Sequence, residues 1–169
     1  MTIVKVTALD APEGSLDTDE QRFVDMIRKY GWFNTRIFAE DGRPGYNFTT
    51  GFDVTLGCPE IMAFSFPTDV AYSVLADVFN QVKEGLTLEH GKAYDNFANL
   101  PVVFQPVQRT HYADYLGWSR WFYAGDAFDC WQLVWSDREG RFPWHAEFEA
   151  KYKGLQPNLA NDDGIWRAN

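Results

Sequence analysis

The stretch with the densest reactive side chains is Gly57-Cys58-Pro59-Glu60, a thiol two residues from a carboxylate. A nucleophilic cysteine needs a base within hydrogen-bond reach, or a cation or helix N-terminus that lowers its pKa. Here the thiol precedes a proline and the apolar run IMAF, and its sequence neighbours Asp53 and Glu60 are acidic. Acidic neighbours raise a thiol pKa. A remote histidine could still supply the base, because such sets are assembled in space. The pattern favours a structural turn, with Pro59 fixing the start of a strand.

The histidines are His90, His111 and His145, and none forms an HxH, HExxH or HxxxH pair, so neither metal nor cofactor has an anchor in the sequence. His111 and Asp114 are three residues apart on a predicted helix, as a base with its orienter or as a pair supporting the first turn; the second reading is preferred. A catalytic alternative would therefore rest on His111, Asp114 and Glu60. The phosphate-cradling patterns GxxxxGK and GxGxxG are absent, as is GxSxG. What remains is aromatic and polar side chains near one another: Tyr46, Thr50, Trp118, Arg120, Trp135, Arg141 and Trp144. Tryptophan with arginine is the composition of interface hot spots and also of core edges. These seven are the binding candidates.

Positioning them falls to a regular set of elements. Thr18 and Gln21 have capping-box spacing, and Phe23, Met26, Ile27 and Tyr30 follow as one stripe that Gly31 stops. Residues 32–40 and 45–54 read as an antiparallel hairpin around EDGRPG, with Tyr46, Phe48, Thr50 and Phe52 on one face. IMAFSF (61–66) reads as a buried strand and residues 68–84 as a helix ended by Gly85, with residues 86–100 as loop. PVVFQPV (101–107) is a strand, residues 110–124 a third helix, CWQLVW (130–135) a strand, and RFPW a second extended piece after the SDREG turn. Hairpins and helices without strict strand–helix alternation predict an α+β fold, an antiparallel or mixed sheet of five or six strands with three packed helices.

The chain has 169 residues, the length of one domain, with a core expected over 18–150 and a polar, loosely held tail after 151. Aromatic content of 17 % predicts an aromatic-rich core. A net charge of −9 argues against nucleic acid and against an anionic membrane surface, and suits a basic protein partner. MTIVKVTALD lacks a basic segment followed by a long apolar one, so no export signal is expected. Cys58 and Cys130 are then expected as thiols in the cytoplasm.

GYNFTTGF followed by GCPEIMAF, then DVAYSVLADVFNQVKEG, YLGWSRWFYAG and WQLVWSDREGRFPW, together resemble the bacterial family called domain of unknown function 4262. The resemblance runs over residues 24 to 158 and rests on the order and spacing of the blocks. It implies a compact bacterial cytosolic module without a defined cofactor or activity. Cys58 stands where the family pattern carries histidine, and that exchange weakens a catalytic reading of the turn. The matching positions Tyr46, Thr50, Gly51, Pro59, Glu60, Gly117, Gln132, Trp135, Asp137, Gly140, Pro143 and Trp144 are as well explained by fold as by function.

The function expected is that of a non-enzymatic binding module for a protein partner, in its most concrete form an immunity or antitoxin-like protein against a basic toxin. The alternative is a small-molecule enzyme or sensor with a pocket near Tyr46, Thr50, Glu60, His111 and Asp114.

Overall fold

Helix α1 (Thr18–Tyr30) is capped by Asp17 and Glu20, which exchange side-chain and backbone hydrogen bonds, one residue earlier than the Thr18–Gln21 spacing suggested. A carboxylate suits this position, where it meets the unpaired amides of the first turn. Gly31 ends the helix in the left-handed region at φ 89°, as its place after the stripe implies. The structure, a computed structural model, describes residues 5–168.

Strands β1 (Phe33–Ile37) and β2 (Tyr46–Thr50) form the expected antiparallel hairpin. The second strand is shorter than predicted. Gly51 leaves the strand at φ 118°, and Phe52–Leu56 form a short helix, α2. A Cβ at Gly51 would lie 2.5 Å from the Gly31 carbonyl oxygen, so the chain can turn there only with glycine. Phe52 consequently opens α2 and packs against Trp32 and Phe79, not on the Tyr46–Phe48 face of β2.

Strand β3 (Glu60–Phe64) pairs antiparallel with β2, and α3 (Thr68–Lys83) follows it. Residues 86–100 contain a two-residue strand, β4 (Ala93–Tyr94), which lies outside β5 (Val102–Pro106) at the sheet edge. Of the prolines of β5, Pro101 sits just before its first residue and Pro106 is its last, where a missing amide costs the ladder little. Strand β6 (Cys130–Trp135) inserts between β3, to which it is parallel, and β5, to which it is antiparallel. The six-stranded mixed sheet has the order β1-β2-β3-β6-β5-β4, an α+β fold.

The expected third helix is broken. A 3-10 turn (Arg109–His111) leads into α4 (Tyr112–Tyr115), and Leu116 leaves helical geometry at φ −118° and ψ 41° before α5 (Gly117–Phe122). The break lets Leu116, Tyr112 and Phe122 all enter the same core. RFPW is not a strand either; residues 141–144 wind through turns set by Asp137, described below.

β3 shows how the layers are built. Met62 and Phe64 pack with α1, α4 and α5 on one face, while Ile61 and Ala63 pack with α3 on the other. Alternate residues of a strand point to opposite faces, so a strand covered on both sides is apolar throughout. The residues after Lys151 also depart from expectation. The Gln156 side chain both accepts from the Trp135 amide and donates to its carbonyl, and Leu159 is buried. The segment is thus pinned along β6 by an amide side chain acting as a piece of strand.

Candidate functional site

Glu60 stands at the start of the central strand and is fully buried. Its carboxylate accepts from the Thr49 hydroxyl (2.7 Å), the amides of Gly51 (3.1 Å), Phe52 (3.0 Å) and Asp53 (3.0 Å), and the Tyr123 hydroxyl (2.5 Å). The three amides converge because Gly51 turns the chain and opens α2, exposing the N–H groups that a helix start leaves unpaired. Burial pushes the Glu60 carboxyl up to about 7, against the opposing pull of the Asp53 amide, Tyr123, Thr49 and the Phe52 amide. The Tyr123 phenol is pushed far above its ordinary value by burial and by the adjacent carboxylate.

A carboxyl poised near neutrality is what a general base requires. Here, however, each oxygen is already engaged, and nothing from solvent reaches it. Neither thiol beside it is reactive. Cys58 is half-buried and raised to about 12 by burial, Glu60 and Asp53, and buried Cys130, paired in register with Glu60, is raised as well. The Gly57–Glu60 segment turns the chain into β3, and Glu60 is the hub that ties β2, α2 and the end of α5 together.

The remaining candidates scatter. Thr50 is buried and its hydroxyl pairs with that of Ser119 at 2.6 Å. Trp118 stacks on Phe23 at 4.7 Å in the core between α1 and α5. Arg120 pairs with Asp126 at 2.6 Å. The His111 ring donates from Nε2 to the Asn161 carbonyl at 2.7 Å, and no hydrogen bond joins it to Asp114. Tyr46 donates to the Tyr115 carbonyl and shares a cleft of about 350 Å³ with Asp114 and Arg43. Burial raises the Tyr46 phenol to about 12. Tyr46 and Asp114 thus share a cleft, while Thr50 and Glu60 lie inside the fold and His111 outside that cleft.

Arg141 and Trp144 belong to a second hub. The fully buried Asp137 carboxylate accepts from the amides of Glu139, Arg141 and Glu149 and from Arg141 Nε. Burial alone would raise this group; the Arg141 and Glu149 amides, the guanidinium and the Glu139 amide hold it below the ordinary carboxylate range. Trp144 stacks face to face on Phe142 at 4.8 Å beside it.

Trp135 is different. Its Nε1 donates to the Phe64 carbonyl, and one side of its ring lines a groove of about 380 Å³ between α3 and residues 97–100. Asp69, Val70, Ser73, Val74 and Asp77 of α3 form one wall, Leu100 and Phe97 the other, and Phe66 and Ser136 complete the floor. Asp69 and Asp77 are exposed, and neither makes an ion pair among the described residues. Ser136 is 2 % exposed, and its hydroxyl has no hydrogen-bond partner among the described residues. The sequence contained one trace of this groove: Asp69, Ser73 and Asp77 repeat every four residues, beside the apolar stripe of α3. Ser136 left no trace, because only the fold brings the end of β6 beside α3.

Among the described residues, no group of three or more histidine, cysteine or carboxylate side chains is placed to hold a metal ion, and no helix is long and apolar enough to cross a membrane. A family model described as "Domain of unknown function (DUF4262)" matches residues 26–149, and the chain belongs to that family. No curated protein and no solved structure matches it.

Proposed function

We propose that this member of the family is a non-enzymatic binding module whose partner is a basic protein. The observation that carries the reading is the α3 groove: an apolar floor beneath two carboxylates without cationic partners. Apolar floors bind by excluding water, and uncompensated acidic groups at the rim steer and select cationic partners. The net charge of −9 adds long-range attraction for such a partner. Neutralisation of a basic toxin, as an immunity or antitoxin-like protein does, is one form this recognition takes. In this reading the module works in a bacterial cytoplasm, where Cys58 and Cys130, both unbridged, stay reduced.

The small-molecule alternative draws less support. Of the residues assigned to its pocket, Glu60 and Thr50 are sealed and saturated, leaving only the Tyr46–Asp114 cleft. The test is capture of partners from host lysate on the immobilised protein, at low salt and again at moderate salt, with the Asp69→Asn/Asp77→Asn variant alongside. The reading expects a stoichiometric basic protein, released by salt and lost on the variant. Capture of no basic protein, together with turnover or tight binding of a metabolite, overturns it.

A further inference from the structure

The groove also constrains the shape of what it binds. Asp69 and Asp77 are eight residues apart on one face of α3, which places them about 12 Å apart along the helix axis. No single ammonium or guanidinium group spans that distance. An extended chain advances about 3.3 Å per residue, so two side chains four residues apart stand about 13 Å from each other on the same face. The residue midway between them points the same way, toward Val74, Phe66 and the ring of Trp135.

Resting on the binding-module reading, we propose that the groove takes an extended segment with two basic residues four apart and an apolar residue midway. Asp69 and Asp77 receive the two cations, and the apolar side chain enters between them. The Ser136 hydroxyl, buried at the groove's edge and without a hydrogen-bond partner among the described residues, meets the segment's main chain, which offers both a donor and an acceptor, only when the side chains covering it shift. The backbone amide of Ser136 donates at 3.2 Å to the carbonyl of Pro101, the residue that follows the 97–100 wall.

The test is calorimetric titration of the full chain with two end-blocked pentapeptides of one composition. One reads lysine–serine–leucine–serine–lysine, and in the other the lysines are adjacent. The spaced peptide is expected to bind about fivefold more tightly in about 0.01 M salt, and to lose that margin in Asp69→Asn/Asp77→Asn. Ser136→Ala is expected to weaken the spaced peptide about threefold without lowering the urea midpoint. Equal binding of the two peptides, no heat with either, or a spaced-peptide margin untouched by the aspartate pair would overturn the inference. The two claims fail separately. A basic partner still captured by Asp69→Asn/Asp77→Asn removes this groove and keeps the binding module. Peptide discrimination without any basic protein in the lysate keeps the groove's chemistry and removes the module's assigned partner.

Discussion

Glu60 and Ser136 are both sealed from solvent at the end of a central strand, and they differ in almost everything else. The carboxylate of Glu60 has five donors from three elements and no access; the hydroxyl of Ser136 has no partner and borders a groove edged with unpaired aspartates. A buried polar group that is fully satisfied specifies the fold, whereas one left open marks a place where the fold is incomplete without something else. The carboxylate that stands out in the sequence is tied into the fold on every side, and the proposed binding site lies elsewhere, at the groove beside Ser136.

Removing the hub should produce the largest effect. Glu60→Ala leaves three amides and two hydroxyls without an acceptor, and the urea unfolding free energy should fall by about 4 kcal/mol. A loss under about 1 kcal/mol would mean that the turn does not depend on the carboxylate. Gly51→Ala comes next. A Cβ there meets the Gly31 carbonyl at 2.5 Å and Trp32 Cα at 2.8 Å, both backbone, at a positive φ. The expected loss is about 3 kcal/mol.

The same hub has a signature in pH. Glu60 titrates near 7 in the fold and near the ordinary 4.5 when unfolded, so between those values the folded protein holds the extra proton. Its contribution to stability is present below about 4.5 and is lost as pH rises through about 7, a decline of roughly 3 kcal/mol. The Tyr123 hydroxyl at 2.5 Å can accept from a protonated Glu60 as well as donate to the ionised form. Glu60→Gln removes the titrating group, so the difference between its urea profile and that of the parent from pH 4.5 to 7 isolates the effect. A pH-independent difference would place the carboxyl outside that range.

Much of the hub was visible in the sequence. Gly51, Pro59 and Glu60 sit among the blocks on which the resemblance rests, and the acidic residues around Cys58 already argued against a nucleophile. What escaped was the geometry that explains them. The alternation of Tyr46, Phe48, Thr50 and Phe52 reads as one long strand, and only the contact between Gly51 and Gly31 cuts it short. The third helix was mistaken for a continuous one because its apolar spacing survives the break at Leu116. RFPW has strand-like composition, but the Asp137 carboxylate captures three backbone amides and makes turns instead. The tail was misjudged because Gln156 and Asn158 look like solvent-facing residues until β6 presents backbone to Gln156 and the Ile165 carbonyl accepts from Asn158. The groove was the least legible feature, since its two walls lie far apart in the chain.

At the groove, the signs reverse. Ser136→Ala removes a buried hydroxyl that bonds to nothing, and should raise the unfolding free energy by about 1 kcal/mol while weakening peptide binding. A destabilised variant would show that the hydroxyl already has a structural partner. The smallest effect on the fold belongs to Asp69→Asn/Asp77→Asn, both exposed, expected within about 0.5 kcal/mol of the parent although the spaced peptide's preference is lost.

The most direct measurement is a backbone amide and indole NMR titration of the labelled protein with the lysine–serine–leucine–serine–lysine peptide. The account predicts shifts confined to Asp69, Ser73, Asp77, Asn99, Ser136 and the Trp135 indole, with Gly51, Phe52 and Asp53 unmoved. Shifts centred on residues 51–53 and Tyr123, with the groove silent, would contradict it and return the function to the Glu60 hub.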